Sequence, residues 1–278
     1  MKRAEIKVQS VKSEIKDEDI LYIRISSFNE ELDKSVEKAV KNAQKKLKNK
    51  LAGIVIDVRN NPGGLLDQAI GVSDLFLEQG EIVSTRSRNV EDTVKFSATA
   101  GDIAKGLPIV VIINEGSASA SEILAGALQD HHRAVVIGEK SFGKGSVQTV
   151  VQLPNGAGMR LTTARYYTPS GRSIQAKGIE PDIVVKQSKI ETIEDNSWNI
   201  SEADLKGCLL YTSDAADEED KNNTSKHSKI SENDTKDYQL IRAMDLVKAL
   251  YLYGQNDNLN AKVKSAEKDK KTTSKGKK

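Results

Sequence analysis

The chain has 278 residues, of which 37% are hydrophobic and 29% charged, and its net charge is +2. This length predicts one large domain or two small ones, and a charge so near zero argues against a nucleic-acid partner. The single cysteine, Cys208, excludes a disulfide framework, and two of the three histidines are adjacent, which is not a ligand spacing. We therefore expect no metal or other cofactor.

The apolar residues concentrate between about residues 20 and 185. Residues 19–25 are rich in β-branched residues and predict a strand, and residues 30–48 place apolar side chains on one helical face. Residues 52–58 form a nearly continuous apolar run, which is typical of a strand buried on both faces. Helical spacing returns over residues 65–77.

The same alternation continues along the chain. Residues 107–113 predict a second buried strand, residues 121–128 a helix and residues 134–137 a third buried strand. Period-two patterns follow over 147–153 and 159–167. Strands that alternate with helices predict an α/β body with a largely parallel sheet.

The last third of the sequence is thin in apolar residues. Residues 187–236 are dominated by Asp, Glu, Asn, Lys and Ser and predict a polar linker. Residues 237–254 contain an amphipathic helix, and we expect the Lys-rich residues 255–278 to form a disordered, solvated tail. No apolar run is long enough to predict a membrane span, and residues 1–5 lack the apolar segment of a signal peptide.

Ser119 lies in a serine-rich run between a predicted strand and a predicted helix. Unpaired N–H groups at a helix N-terminus favour developing negative charge, as an oxyanion hole requires. The alternative is that these serines only cap the helix, with Ser121 and Glu122 supporting the first turn. Local spacing leaves both interpretations open.

Lys144 lies between two glycines, close to Phe142 and Val147. A lysine normally has a pKa near 10.4, and burial in apolar surroundings lowers that pKa towards the range of a general base. A serine and such a lysine can form a nucleophile and its base without histidine. The alternative is an ordinary surface lysine in a loop.

Two other catalytic patterns fit poorly. Residues 138–144 match a phosphate loop as far as Lys144, but Gly145 stands where Ser or Thr is required and a strand pattern follows instead of a helix. His131 follows Asp130 directly, and adjacent residues on a helix point about 100° apart, so they do not form a triad pair. The run Asn60-Asn61-Pro62-Gly63-Gly64 follows a buried strand, where a backbone N–H could point towards a substrate carbonyl or simply form a tight turn.

Four ordered segments of the sequence resemble the carboxyl-terminal processing peptidases, also called tail-specific proteases, of peptidase family S41. They are residues 57–64, 117–123, 142–148 and 167–175, and the resemblance extends from about residue 20 to residue 185. It implies a Clp protease/crotonase-like fold and a serine-type endopeptidase with a Ser–Lys dyad. It also implies protein or peptide substrates that are recognised near accessible C-termini.

The resemblance carries roles to individual residues. Ser119 is the expected nucleophile and Lys144 the expected base, 25 residues later as in the family pattern. Gln148 is expected to orient the lysine, and Asp130 matches a supporting acidic position. The expected oxyanion donors are the backbone N–H of Ala120 and that of Gly63, with Gly64 as the alternative to Gly63.

The resemblance also predicts the domain organisation. Residues 1–18 resemble the end of a PDZ domain and its linker, which suggests N-terminal truncation, and residues 19–186 form the protease core. Residues 208–218 resemble the translation of a sequencing-library transposon end, so we interpret them as an assembly artefact. We expect a periplasmic or other cell-envelope location from the family alone, and the family also allows a homo-oligomer.

Two alternatives stay open on the sequence. A crotonase-fold acyl-CoA enzyme shares the architecture and uses backbone oxyanion donors, but it needs neither Ser119 nor Lys144. An inactive protease fragment is the second alternative, because the expected PDZ domain is missing from the sequence.

Overall fold

The computed structural model describes residues 9–154, 156–188 and 237–254. The helices are α1 (Leu32–Leu47), α2 (Leu66–Asp74), α3 (Ala120–Asp130) and α4 (residues 238–254). The strands are β1 (Val11–Lys16), β2 (Ile20–Ile25), β3 (Gly53–Asp57), β4 (Glu81–Arg86), β5 (Val94–Ser97), β6 (Ile109–Ile113), β7 (Val135–Gly138), β8 (Ser146–Gln152), β9 (Gly158–Tyr167) and β10 (Ile183–Val184).

Six strands form the main sheet in the order β1-β2-β3-β6-β7-β10. β1 runs antiparallel to β2, and every other neighbouring pair in this sheet is parallel. All residues of β3 and β6 are buried, which explains their continuous apolar sequence. The predicted α/β class with a mostly parallel sheet is therefore confirmed.

Helices cover both faces of this sheet. One face packs against α1, α2 and α3, and the other packs against α4. Successive residues of β3 alternate accordingly, because Ile54 and Ile56 lie in the first cluster and Val55 in the second. A side chain at Gly53 would come within 2.5 Å of Val247, so α4 lies directly on the backbone of β3.

The predicted C-terminal helix is confirmed, and none of the described helices is long and apolar enough to cross a bilayer. The predicted tail, most of the predicted linker and the suspected artefact at 208–218 lie outside the described residues. The division into domains stays a prediction. In the structure Val11–Lys16, which the prediction assigns to a remnant of another domain, pair with β2 as part of the main sheet.

A second, antiparallel sheet has the strand order β5-β4-β9-β8. Sequence analysis predicted its β8–β9 hairpin but not β4 or β5, and it also missed β1 and β10. β5 is mostly exposed, so its four residues lack the apolar pattern that marks a core strand. β10 has only two residues, which is too short for a periodic signal.

An ion-pair network fastens α4 to the end of β3. The guanidinium of Arg59 donates to both carboxylate oxygens of Asp237, at 2.9 and 2.7 Å, and to the buried Asp57. Asp237 also accepts the backbone N–H of Leu240 and so caps α4. Burial raises the pKa of Asp237, but hydrogen bonds and charge from Arg59 outweigh burial and hold that pKa below its ordinary value.

Gln239 extends this network to the residue that follows β10. Its amide oxygen accepts a hydrogen bond from Arg59 at 3.0 Å, and its amide nitrogen donates to the carbonyl of Val185 at 2.7 Å. Gln239 is itself buried. The start of α4 and the chain after β10 are therefore joined through one side chain.

We predict that Asp237→Ala lowers the free energy of unfolding by about 2 kcal/mol at pH 7, because it removes both a helix cap and a partner of a mostly buried arginine. The matched control is Asp245→Ala, which removes an exposed pair within α4 and should cost under about 0.5 kcal/mol. Urea unfolding of both variants measures the difference.

The contribution of Asp237 should depend on pH in one direction. Because its folded-state pKa is lowered, the stabilisation is present above the unfolded pKa of about 4 and is lost as the pH falls through the folded pKa. The stability difference between wild type and Asp237→Ala should thus shrink in acid. A difference that grew below pH 4 would contradict the assignment.

Candidate active site

Ser119 is the residue that immediately precedes α3, and its backbone has an unusual conformation. Its φ is 56° and its ψ is −110°, outside the regions that non-glycine residues favour. Such a conformation costs of order 1–3 kcal/mol and persists only where surrounding contacts impose it. Strained turns between a strand and a helix present nucleophilic serines in some hydrolases, and the turn at Ser119 is strained in a comparable way.

The side chain of Glu122, in the first turn of α3, accepts a hydrogen bond from the backbone of this serine. The residue is completely buried. Its Oε2 accepts the backbone N–H of Ser119 at 2.8 Å and the backbone N–H of Lys144 at 2.9 Å. Its Oε1 accepts the N–H of Gly143 and the hydroxyl of Ser141, both at 2.6 Å.

One carboxylate therefore joins the two segments that the sequence singled out. Because Ser119 and Lys144 donate to the same oxygen atom, their backbone nitrogens lie within two hydrogen-bond lengths of each other. Sequence analysis assigned Glu122 only to helix capping and missed this second role. The Ser-x-x-Glu spacing before an apolar run was the signal available, and it predicts the bond to Ser119 but not those to the distant loop.

The loop 139–145 connects β7 to β8 and is fixed by the segment that follows β9. The N–H of Ala176 donates to the carbonyl of Gly143 at 2.9 Å. The N–H of Tyr166, at the end of β9, donates to the carbonyl of Gly145 at 2.7 Å. A side chain at Gly145 would meet the backbone of Gln175 at 2.3 Å. The glycines beside Lys144 thus serve close backbone packing, and the strand β8 that follows is inconsistent with a phosphate loop.

The side chain of Lys144 is exposed, which agrees with the alternative of a surface lysine in a loop and not with burial by apolar neighbours. Phe142 is itself 68% exposed and so provides no cover. The Lys144 ammonium and the Ser119 hydroxyl form no hydrogen bond with each other. Local sequence left burial and exposure open, and in the structure both Phe142 and Lys144 are exposed.

The loop 60–64 lies against the serine turn. Asn61 is buried and accepts the N–H of Ala118 and the hydroxyl of Ser121 on its carbonyl, at 2.9 and 3.0 Å. A side chain at Gly63 would come within 2.9 Å of both Ser119 Cβ and the Ala120 nitrogen. The structure thus brings Gly63 and Ala120 together beside Ser119, as the predicted oxyanion site requires.

The N–H of Gly63 is already engaged. It donates to the side-chain oxygen of Asn61 at 2.9 Å. The N–H of Gly64 donates to no acceptor in the described part of the chain, and Ala120 is the first residue of α3, where N–H groups lack intrahelical partners. Gly63 lies nearer to Ser119, whereas the N–H of Gly64 has no acceptor among the described residues, so the choice of the second donor stays a prediction.

Two predicted site residues lie apart from Ser119. Asp130 ends α3, about 16 Å from Ser119 at 1.5 Å per residue, and binds the N–H of Ser170 and the guanidinium of Arg172. Burial raises the pKa of Asp130, but hydrogen bonds from Thr168 and Ser170 and the charge of Arg172 lower it below the ordinary value. Asp130 therefore fixes a distant turn. Gln148 lies exposed on β8 and forms no hydrogen bond with Lys144.

An α/β core that presents a strained serine beside a lysine loop and free backbone N–H groups is the architecture of a hydrolase. Residues 19–185 of the chain match peptidase family S41, and the chain belongs to this family.

Similar proteins agree with this assignment. The chain is 53% identical over 203 residues to a carboxy-terminal-processing protease of Bartonella bacilliformis, covering 73% of this chain and 46% of that protein. It is 43% identical over 173 residues to a carboxyl-terminal-processing protease of Synechocystis, covering 62% of this chain and 39% of that protein. The chain thus spans less than half the length of these relatives.

A solved structure supports the fold. The photosystem II D1 C-terminal processing protease is similar with a TM-score of 0.60 and 33% identity, over 66% of this chain and 50% of that one. The fold that the sequence resemblance implied is therefore confirmed.

We predict that Glu122→Gln releases the loop that carries Lys144. A glutamine amide presents N–H groups where the carboxylate now accepts them, so at least one pair of hydrogen bonds is lost. Hydrogen exchange at the amides of Ser119, Gly143 and Lys144 should accelerate roughly tenfold or more.

The matched control is Glu115→Gln, the same change at an exposed position in the loop that precedes Ser119. Its exchange rates should equal those of the wild type. Unchanged protection in Glu122→Gln would show that the carboxylate does not hold the two segments together.

Proposed function

We propose that this chain is a serine-type endopeptidase in which Ser119 is the nucleophile and Lys144 the general base. The observation that supports this best is the shared carboxylate oxygen of Glu122, which holds the backbones of both residues side by side. Family membership supplies the peptidase class. The dyad itself is our inference from the geometry.

Because Lys144 is exposed, we propose that the dyad forms only when substrate binds. Desolvation disfavours the ammonium form of a lysine. Because the side chains of Lys144, Phe142 and Leu65 are exposed around the serine turn, we propose that the polypeptide substrate covers them when it binds. Substrate binding would then exclude water from Lys144 and bring its amine to the Ser119 hydroxyl, with Gln148 as the residue that orients the amine.

The reaction would proceed by acyl transfer. Neutral Lys144 accepts the hydroxyl proton while Ser119 Oγ attacks the scissile carbonyl carbon. The N–H groups of Ala120 and Gly64 stabilise the resulting oxyanion. Lys144 then gives its proton to the leaving amine, and water, deprotonated by Lys144, hydrolyses the acyl-enzyme to release the second product.

The names of the relatives suggest the substrates. Because they are carboxyl-terminal processing proteases, we propose that this chain cleaves protein or peptide substrates near accessible C-termini. By the same analogy we propose a role in processing or quality control in the cell envelope, in association with a PDZ domain. No described feature favours the alternative of an acyl-CoA enzyme.

We predict that Ser119→Ala and Lys144→Ala each reduce peptide hydrolysis by roughly a thousandfold or more while thermal unfolding stays within a few degrees of wild type. The control is Lys140→Ala, which removes a lysine of the same loop that pairs with Glu180 at the surface. That variant should retain wild-type kcat/KM. Full hydrolysis by Lys144→Ala would refute the dyad.

A second measurement separates an active enzyme from an inactive fragment. A serine-directed acylating probe should label the wild-type chain once and leave Ser119→Ala unlabelled, as detected by intact-mass spectrometry. Absence of labelling in the wild type would show that this chain does not activate the serine.

A further inference from the structure

Three arginines line one pocket on the small sheet, and none of them pairs with a carboxylate among the residues that the structure describes. Arg86, Arg88 and Arg165 line a cavity of about 390 Å³ together with Thr162, Thr163 and Tyr167. In the described part of the chain, five other arginines each pair with an aspartate, and the remaining unpaired one, Arg160, lies further out on β9 and does not line the cavity.

The placement of two of these arginines is unfavourable for the sheet itself. Arg86 of β4 and Arg165 of β9 are direct cross-strand partners, and like charges in such pairs destabilise a sheet. The guanidinium of Arg86 also lies 4.3 Å from the ring centre of Tyr167, so its position is fixed by a cation–π contact. An arrangement that costs stability and holds its donors in place is typical of a site for an anion.

The cavity lies close to the proposed catalytic lysine. Arg165 pairs with Ser146 of β8, two residues after Lys144. With about 5.5 Å between cross-strand Cα atoms and 3.8 Å per step along the chain, the Cα atoms of Arg165 and Lys144 are within about 13 Å of each other. An extended peptide spans that distance in about four residues.

We propose that Arg86, Arg88 and Arg165 form a binding site for a carboxylate, the terminal carboxylate of a polypeptide whose scissile bond lies a few residues upstream at Ser119. The planar guanidinium groups match a carboxylate bidentately, and two of them side by side can hold both of its oxygens. The proposal rests on the proposed peptidase function for the identity of the peptide, but the anion site itself does not require Ser119 to react.

The test measures binding without turnover. The full chain carrying Ser119→Ala is titrated into two fluorescent peptides of the same sequence, one with a free C-terminal carboxylate and one with a C-terminal amide, and anisotropy reports the dissociation constants. The free acid should bind roughly three- to tenfold more tightly. That preference should disappear when Arg86→Gln and Arg165→Gln are added and should persist with Arg160→Gln, the control on the same strand.

Two further readouts identify the source of the anion and exclude a structural role. Sodium phosphate should weaken binding of the free acid and leave that of the amide unchanged, because it competes only for the arginines. Arg165→Gln should raise the melting temperature, since it removes a repulsive pair, whereas an arginine needed for folding would lower it.

Equal binding of the two peptides, or a preference for the acid that survives the double substitution, would overturn the proposal. A site that binds phosphate but does not distinguish the peptides would overturn it as well. Because the Ser119→Ala chain cannot hydrolyse either peptide, failure of the proposed peptidase chemistry leaves this comparison intact and is detected separately by the acylating probe.

Discussion

The arrangement of the candidate site depends on one buried carboxylate. Glu122 has no solvent access, yet it accepts four hydrogen bonds from groups that belong to two separate parts of the chain. A buried carboxylate is stable only when its oxygens are satisfied, so the serine turn and the lysine loop must both be in place for α3 to pack. The fold and the site therefore form together. The serine turn and the lysine loop each reach their folded conformation only when the other is in place.

The loop that follows β3 connects the serine turn to α4. Asn61 fixes the serine turn on one side, and Arg59, two residues earlier, binds α4 on the other. Burial and the neighbouring Asp57 also raise the pKa of Tyr22, whose hydroxyl donates to that carboxylate and extends the network to β2. A helix on one face of the sheet is in this way connected to the serine turn on the other.

The sequence could predict the helices and strands of the main sheet because the burial of each element is visible in its own run of residues. Runs such as residues 52–58 are apolar throughout, and only a strand covered on both faces needs that composition. Ser119 and Lys144 were found through ordered motifs. The conformation of Ser119 and the hydrogen bonds of Glu122 to the lysine loop were beyond reach, because each is set by contacts between segments far apart in the chain. The supporting role of Asp130 stays a prediction, because this residue is at the end of α3 remote from Ser119 and binds the turn at Ser170.

The contacts of Gln239 have a consequence for how this protein can vary. One side chain binds the carbonyl of Val185 and the guanidinium of Arg59, so Val185 and the start of α4 are held at the same place. Neither anchor depends on the number of residues between them. Insertions, deletions or foreign codons in that interval, including any at 208–218, would leave the register of α4 on the sheet unchanged. The junction is thus a point where the chain can gain or lose sequence while the packing of α4 on the sheet is preserved.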